Sequence, residues 1–306
     1  MTHIVRDIEV IGVPMDLGAN IRGANMGPSA LRIAGLHQKI GVLGYNVVDR
    51  GDVLIPVRET IAPEHAASHY LPVIADICEQ VYEKTFEAME HGRLPLCLGG
   101  DHSIAMGSIS GVSSYLKTLD QQLGLIWFDA HADINTPETS PSGNIHGMPL
   151  AALIGHGHSQ FTGLSGRFPT ISPKHIALVG IRSIDANERK LCKESGIRYF
   201  TMREIDERGM QSVMEEAIRV ASAGTSGIHI SFDLDAIDPL YAPGVSTPVT
   251  GGLSYRESHL ALETIADTKK VTSMDFVELN PMTDNKHISG ELMVELIQSA
   301  LGKAII

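Results

Sequence analysis

Leu125-Ile-Trp-Phe-Asp129-Ala-His131-Ala-Asp133-Ile-Asn135 is the stretch around which the chain is organised. Its apolar first part is typical of a strand that is buried on both faces of a sheet. The polar part begins where that strand ends, at the edge where open α/β sheets place their ligand sites. Asp129, His131 and Asp133 alternate with apolar or small residues, so all three side chains can lie on one side. Because no Lys or Arg stands between them, we expect a cation to join this group.

The composition is that of a globular α/β protein. The 306 residues are 43% hydrophobic and 20% charged, enough to bury the core of one large domain or two smaller ones. The net charge is −12 and no basic block occurs, so nucleic acid is not an expected partner. Cys78, Cys97 and Cys192 lack the spacing of a redox or zinc motif, which favours a reduced, cytoplasmic setting. Residues 1–6 contain no signal-peptide core and no apolar run of about 18 residues follows, so no membrane association is expected.

Apolar strand-like runs alternate with helix-like segments along the chain. Besides the stretch quoted above, strands are predicted at 8–14, 45–49, 94–98, 175–182, 197–200, 227–232 and 271–278. Helices are predicted at 28–43, at 72–91, up to about 116, at 203–221, after a capping box at 254–257, and at the C-terminus. This alternation indicates a mostly parallel sheet with helices on both faces, although a (β/α)₈ barrel has the same number of strands. No linker-like segment divides the chain, so residues 1–306 are expected to form one domain.

Three further predicted strand ends carry groups of the same kind as the central stretch. His102 follows the third strand, Asp233 and Asp235 follow the seventh, and Glu278 follows the eighth. Asp101 is better explained as a helix N-cap than as a ligand. Since the carboxyl ends of parallel strands meet at one edge, the joint occurrence of these groups predicts a metal site.

The candidate ligands are rich in oxygen and include two imidazoles. This set suits Mn²⁺ better than a structural Zn²⁺ site, which prefers thiolates. The four aspartates carry four negative charges, which two divalent cations would balance. Two such cations can hold a shared water and lower its pKa toward neutrality, which gives a hydroxide nucleophile. A hydrolase is therefore the simplest interpretation.

Five motifs together resemble the ureohydrolase family, and within it the bacterial type of arginase. They are Gly99-Gly-Asp-His-Ser, Asp129-Ala-His-Ala-Asp-Ile-Asn-Thr, Ser142-Gly-Asn-Ile-His-Gly-Met-Pro, Ser231-Phe-Asp-Leu-Asp-Ala-Ile-Asp-Pro and Glu278-Leu-Asn-Pro. The resemblance covers nearly the whole chain. It implies a three-layer αβα fold with an eight-stranded, mostly parallel sheet, and a homo-oligomer that is a trimer or a hexamer. It also implies hydrolysis of L-arginine to L-ornithine and urea with two Mn²⁺ per subunit.

The resemblance assigns six residues as metal ligands. One Mn²⁺ would be held by His102, Asp129, Asp133 and Asp233. The other would be held by His131, Asp129, Asp233 and Asp235, so that Asp129 and Asp233 bridge the two ions. A hydroxide between the ions would attack the guanidinium carbon, and the resulting intermediate would collapse to urea and ornithine.

The resemblance also assigns roles in catalysis and substrate binding. His146 would protonate the leaving amine, Glu278 would pair with the planar guanidinium, and Asp133 would act beside the nucleophile as a ligand. The α-carboxylate would be received by a loop that contains Asn135, Ser140, Ser142 and Asn144. The α-amino group would be received by Asp185 and Glu188, which could instead be first-turn acids of the next helix, and Thr247 would lie near the guanidinium.

The sequence departs from the family pattern at three places. Ala236-Ile237 stands where Gly-Leu is common, and Ser246 stands where Gly is common. Arg22 stands alone in a loop where a basic pair is often found. Two other functions remain open. One is a sister ureohydrolase that acts on agmatine or another guanidino compound; the other is a metal-free structural or regulatory homologue.

Overall fold

The structure is a computed structural model that describes residues 7–62, 64–65, 68–166 and 168–304; residues 1–6, which bear on the expected lack of a signal peptide, lie outside them. Eight strands in this part of the chain form one sheet. They are β1 (Ile8–Val13), β2 (Val47–Asp52), β3 (Leu94–Gly99), β4 (Leu123–Phe128), β5 (Ile176–Ile181), β6 (Arg198–Thr201), β7 (Gly227–Asp233) and β8 (Val271–Val277). Their order is β2-β1-β3-β8-β7-β4-β5-β6, and all neighbours are parallel. The sheet is open at β2 and β6, which excludes the barrel.

Eleven helices of the described residues accompany the sheet. They are α1 (Gly27–Ile33), α2 (Leu36–Gly41), α3 (Leu71–Glu90), α4 (Ala105–Thr118), α5 (Pro149–Leu153), α6 (Ser159–Thr162), α7 (Ala186–Ser195), α8 (Met202–Arg208), α9 (Met210–Ala221), α10 (Tyr255–Asp267) and α11 (Ile288–Ala300). In the part of the chain described, no helix combines the length and the apolar character needed to cross a membrane.

The sheet has an apolar core on each face. In β4, Ile126 and Phe128 join a core that includes α1, α2 and α8 to α11. Leu125 and Trp127, which point the other way, join a core formed with α4 and α5. Burial on both faces explains the continuous apolar run in the sequence and confirms the three-layer prediction.

Two predicted helices are each divided in two. The segment predicted at 28–43 is interrupted by Gly35, and that predicted at 203–221 is interrupted by Gly209. Both glycines have positive φ values, 85° and 78° respectively, which a right-handed helix does not accommodate. Each segment is therefore two helices and not the one continuous helix that the sequence predicts.

The strand order brings distant parts of the sequence to one edge. β8 lies between β3 and β7, and β7 lies beside β4. The carboxyl ends of these four central strands therefore carry His102, Glu278, Asp233 and Asp129 side by side.

Candidate active site

His102 lies at the centre of the first group of candidate metal ligands. It begins a short 3₁₀ turn after β3 and is fully buried. Its Nδ1 lies 3.4 Å from Asp129 Oδ2, 3.3 Å from Asp133 Oδ2 and 3.2 Å from Asp233 Oδ2. Among the described residues this nitrogen has no hydrogen-bond partner, although it is buried. A nitrogen lone pair and three carboxylate oxygens that converge without hydrogen bonds fit a divalent cation.

His131 belongs to a second group beside the first. Its Nδ1 lies 3.4 Å from Asp129 Oδ1 and 3.1 Å from Asp235 Oδ2. Asp129 directs one oxygen to each group, as expected of a bridging ligand. Asp233 directs Oδ2 to His102, while its Oδ1 accepts a hydrogen bond of 2.7 Å from the Asp235 N–H. The structure thus brings all six predicted ligands together, and the second bridge through Asp233 stays a prediction.

The buried carboxylates of this cluster disfavour one another's ionised form. Burial and the charge of Asp129 raise the pKa of Asp133 to about 6. Burial and the charges of Asp235 and Asp129 raise the pKa of Asp233 well above its usual range. A divalent cation would stabilise the ionised form of both carboxylates. The electrostatics therefore agree with the geometry in favouring a metal centre.

Trp127, which the sequence analysis treated only as a core residue, supports both groups. Its indole N–H donates to Asp129 Oδ2 at 2.9 Å. Its ring stacks on the imidazole of His102 with the centroids 4.0 Å apart. The sequence contains one indication of this supporting role: the single tryptophan of the chain stands two residues before Asp129.

Arg182 is a second residue that the sequence analysis missed. Its guanidinium donates to the carbonyl oxygens of Asp235 and Val249, both at 2.7 Å. It thereby links the turn after β7 to the loop that carries Thr247, whose hydroxyl donates to Asp235 Oδ2 at 2.9 Å. No local pattern marked this arginine, because these two partners are 53 and 67 residues away in the chain.

His146, which is partly exposed, and Glu278, which is fully buried, form a pair next to the first ligand group. His146 Nδ1 lies 3.0 Å from Glu278 Oε1, which also accepts the His102 N–H at 2.9 Å. Burial opposes protonation of His146, but its hydrogen bond with Glu278 and the charge of that carboxylate raise the pKa of His146 to about 9. Glu278 Oε2 is buried and has no hydrogen-bond partner in the described part of the chain. The structure therefore places Glu278 against His146, with one oxygen left for a further donor.

A cavity of about 140 Å³ opens beside the two ligand groups. His146 lines it together with four of the six candidate metal ligands, His131, Asp133, Asp233 and Asp235. All seven residues predicted to bind substrate also line it: Asn135, Ser140, Ser142, Asn144, Asp185, Glu188 and Thr247. The cavity therefore joins the candidate metal centre to a polar wall of hydroxyl, amide and carboxyl groups.

Asp185 and Glu188 lie at the start of a helix and also line the cavity. They form a capping box at the start of α7, with Asp185 as the N-cap and Glu188 in the first turn. Asp185 Oδ2 also accepts a hydrogen bond of 2.8 Å from the Asn135 amide. Burial raises the pKa of Glu188 to about 7. The helix cap therefore presents two carboxyl groups to the cavity.

The structure also accounts for Asp101 and for the residues that depart from the family pattern. Asp101 is an N-cap, as predicted, and accepts the Ser103 N–H at 3.1 Å. Ser246 is buried, and its hydroxyl accepts a hydrogen bond of 3.0 Å from Asn280. Arg22 pairs with Asp16 at 2.8 Å and with Glu59 at 2.6 Å.

Ala236 and Ile237 lie directly after the ligand-bearing turn. Both are fully buried, and their carbonyl oxygens accept hydrogen bonds from Arg182 at 3.1 Å and 3.4 Å. Their backbone therefore helps to hold Asp235 in place, and their side chains fill the adjacent core.

Comparison with known proteins gives a consistent result across the chain. A family model described as the arginase family matches residues 6–302. The arginase of Bacillus caldovelox is 46% identical over 302 residues, which are 98% of this chain and 100% of that protein. The arginase of Bacillus subtilis (strain 168) is 48% identical over 301 residues, which are 98% of this chain and 99% of that protein. The native structure of the Bacillus caldovelox arginase matches with a TM-score of 0.93 at 46% identity, covering 98% of this chain and 100% of that one.

Proposed function

The chain belongs to the arginase family and is an enzyme of that family, and from this premise we propose that it hydrolyses the guanidinium group of L-arginine to L-ornithine and urea. One observation carries the proposal. A single cavity joins the candidate metal centre to polar residues that can receive the amino-acid end of the substrate. A site built only to recognise a guanidinium would not need that polar wall.

The proposed cofactor is two Mn²⁺ per subunit. His102, Asp129, Asp133 and Asp233 would hold one ion; His131, Asp129, Asp233 and Asp235 would hold the other. The donor set of oxygens and imidazoles supports this choice of metal. When bound, the pair of ions would lower the pKa of water at the site toward neutrality and so supply the nucleophile.

His146 is proposed to give a proton to the leaving amine. Its Nδ1 is engaged by Glu278, so Nε2 is the nitrogen left to exchange a proton with the substrate. The raised pKa keeps the imidazole protonated near neutral pH, as a general acid requires. Glu278 is proposed to contact the guanidinium through Oε2 while Oε1 remains with His146.

Substrate selection is assigned to the polar wall. The hydroxyls of Ser140 and Ser142 and the amides of Asn135 and Asn144 are proposed to bind the α-carboxylate. Asp185 and Glu188 are proposed to bind the α-amino group, and Thr247 to lie near the guanidinium. Ionised Asp185 supplies the negative charge that an ammonium group prefers, since hydrogen bonds from its neighbours lower its pKa despite the opposing effect of burial.

The remaining expectations concern the setting of the enzyme. We propose that residues 1–306 form one domain that assembles into a trimer or hexamer in the cytoplasm. The three cysteines are free thiols, which supports a reducing compartment. Size-exclusion chromatography with light scattering would determine the oligomeric state.

The decisive experiment is to measure urea release from arginine, agmatine and guanidinobutyrate with added Mn²⁺. Arginine should be the preferred substrate, and dialysis against a chelator should abolish the reaction until Mn²⁺ is restored. Preference for agmatine would replace the proposal by a sister ureohydrolase. Failure to bind metal and to release urea from any of the three would favour the metal-free homologue.

A further inference from the structure

The nitrogen of His102 that faces away from the candidate metal centre begins a chain of buried polar side chains. His102 Nε2 lies 2.8 Å from Ser231 Oγ, which donates to Asp275 Oδ1 at 2.6 Å. Asp275 Oδ2 lies 2.8 Å from His229 Nε2. Each of these four residues is at most 1% exposed. We refer to His102, Ser231, Asp275 and His229 as the buried polar chain.

The register between β7 and β8 fixes the positions of the middle residues of the buried polar chain. β7 and β8 are adjacent at the centre of the sheet, and Ser231 pairs with Asp275 across them. In the same register His229 pairs with Ser273, and His229 Nδ1 lies 2.7 Å from Ser273 Oγ. The contacts among Ser231, Asp275 and His229 are therefore held by two central strands and not by a loop.

The donors and acceptors of the buried polar chain determine which atom carries the proton in each of its hydrogen bonds. An ionised carboxylate only accepts, so Ser231 gives its one hydroxyl proton to Asp275. The Ser231 oxygen can then only accept from His102, and His102 Nε2 must carry the proton. A neutral imidazole has one N–H, so Nδ1 keeps its lone pair. Nδ1 is the atom that faces the three carboxylates of the first ligand group.

We propose that Asp275 is a positioning residue which, through Ser231, holds His102 in the tautomer whose Nδ1 binds metal. The proposal rests on the proposed function, because the metal centre is part of it. Asp275 acts on the ion only through the two residues between them. Partners that orient a ligating histidine in this way typically contribute ~10–100-fold in metal affinity.

Ser108 provides a matched control within the same cluster. Its hydroxyl donates to Asp275 Oδ2 at 2.5 Å, and it is 1% exposed. In the described part of the chain, its other acceptor is the carbonyl oxygen of Ala105. Ser108→Ala and Ser231→Ala thus each delete one buried serine hydroxyl bonded to Asp275, but only Ser231 contacts His102.

The test measures Mn²⁺ affinity of the whole protein from the electron paramagnetic resonance signal of free Mn²⁺. Ser231→Ala should lower the affinity for one of the two Mn²⁺ ions by ~10–100-fold, whereas Ser108→Ala should change the affinity for either ion by less than about threefold. Asp275→Asn should match Ser231→Ala, because an amide can donate to Ser231 and so favour the wrong tautomer of His102. Ser231→Thr retains the hydroxyl and should restore most of the affinity.

Melting temperatures of the metal-free variants separate positioning from stability. Ser231→Ala and Ser108→Ala should lower them by similar amounts. Equal losses of Mn²⁺ affinity in these two variants would show that the buried polar chain serves only to satisfy the hydrogen bonds of buried groups, and the proposal would be wrong. A wild-type protein that binds two Mn²⁺ but releases no urea would overturn the proposed function alone, and the variant affinities would still decide the proposal. A wild-type protein that binds no Mn²⁺ would overturn both.

Discussion

Glu278 Oε1 lies 3.0 Å from His146 Nδ1, so a fully buried carboxylate faces the histidine that lines the cavity. Glu278 adopts a positive φ of 64°, which is uncommon for a residue other than glycine. The pair is the main reason why the pKa of His146 is raised to about 9 despite burial. The proton of His146 is thereby retained through neutral pH and lost only in alkaline solution.

Glu278→Gln should move the alkaline limb of kcat to lower pH. Removing the negative charge lowers the pKa of His146 toward its usual value, so the imidazole loses its proton earlier as pH rises. The measurement is a pH profile of kcat at saturating arginine. In a His146→Ala background the same substitution should produce no such shift. An unchanged alkaline limb in Glu278→Gln would show that this limb does not arise from loss of the His146 proton.

His146→Ala should lower turnover by ~10²–10⁴-fold, because a proton transfer in the transition state is lost. Neither ligand group includes His146, so metal content should be unchanged. Elemental analysis together with kcat for arginine checks both statements. Loss of one Mn²⁺ per subunit from this variant would instead identify His146 as a ligand.

Asp129→Ala should abolish activity and also the rise in melting temperature that Mn²⁺ produces. Asp129 contributes an oxygen to each ligand group, and a ligand that binds only the folded state stabilises it by mass action. Thermal melts with and without Mn²⁺ test this. Asp76→Ala, at an exposed position of α3, is the control and should retain the metal-dependent shift. If neither Mn²⁺ nor chelator changed the melting temperature of the unmodified protein, this would contradict the binuclear proposal.

Arginine should be preferred over agmatine by roughly 10²–10³-fold in kcat/KM, since agmatine leaves the donors for the α-carboxylate unpaired. Asn135→Ala and Ser142→Ala should narrow this gap, mainly by raising KM for arginine. Glu138→Ala, an exposed change in the same loop, should leave the preference intact. Steady-state kinetics with both substrates provide the measurement. Equal kcat/KM values for the two compounds in the unmodified enzyme would falsify the assignment of the polar wall.

The sequence by itself determined the existence of the eight strands and the identity of the candidate ligands. The apolar run before Asp129 marks a buried strand, and the alternation to Asp133 marks three groups on one side, because both patterns arise from neighbours along the chain. The capping box that begins at Ser254 is likewise local, and the structure contains it. The family resemblance then supplied roles that periodicity alone does not give.

The tertiary structure alone decided which of these groups meet. The position of β8 between β3 and β7 sets Glu278 against His146 and Asp275 beside Ser231, pairs that are 132 and 44 residues apart in the chain. Gly35 and Gly209 each divide a segment that the sequence predicts as one continuous helix. A local pattern reports the face on which a side chain lies. The partner across that face depends on strand order and register, which are set by packing of the whole sheet.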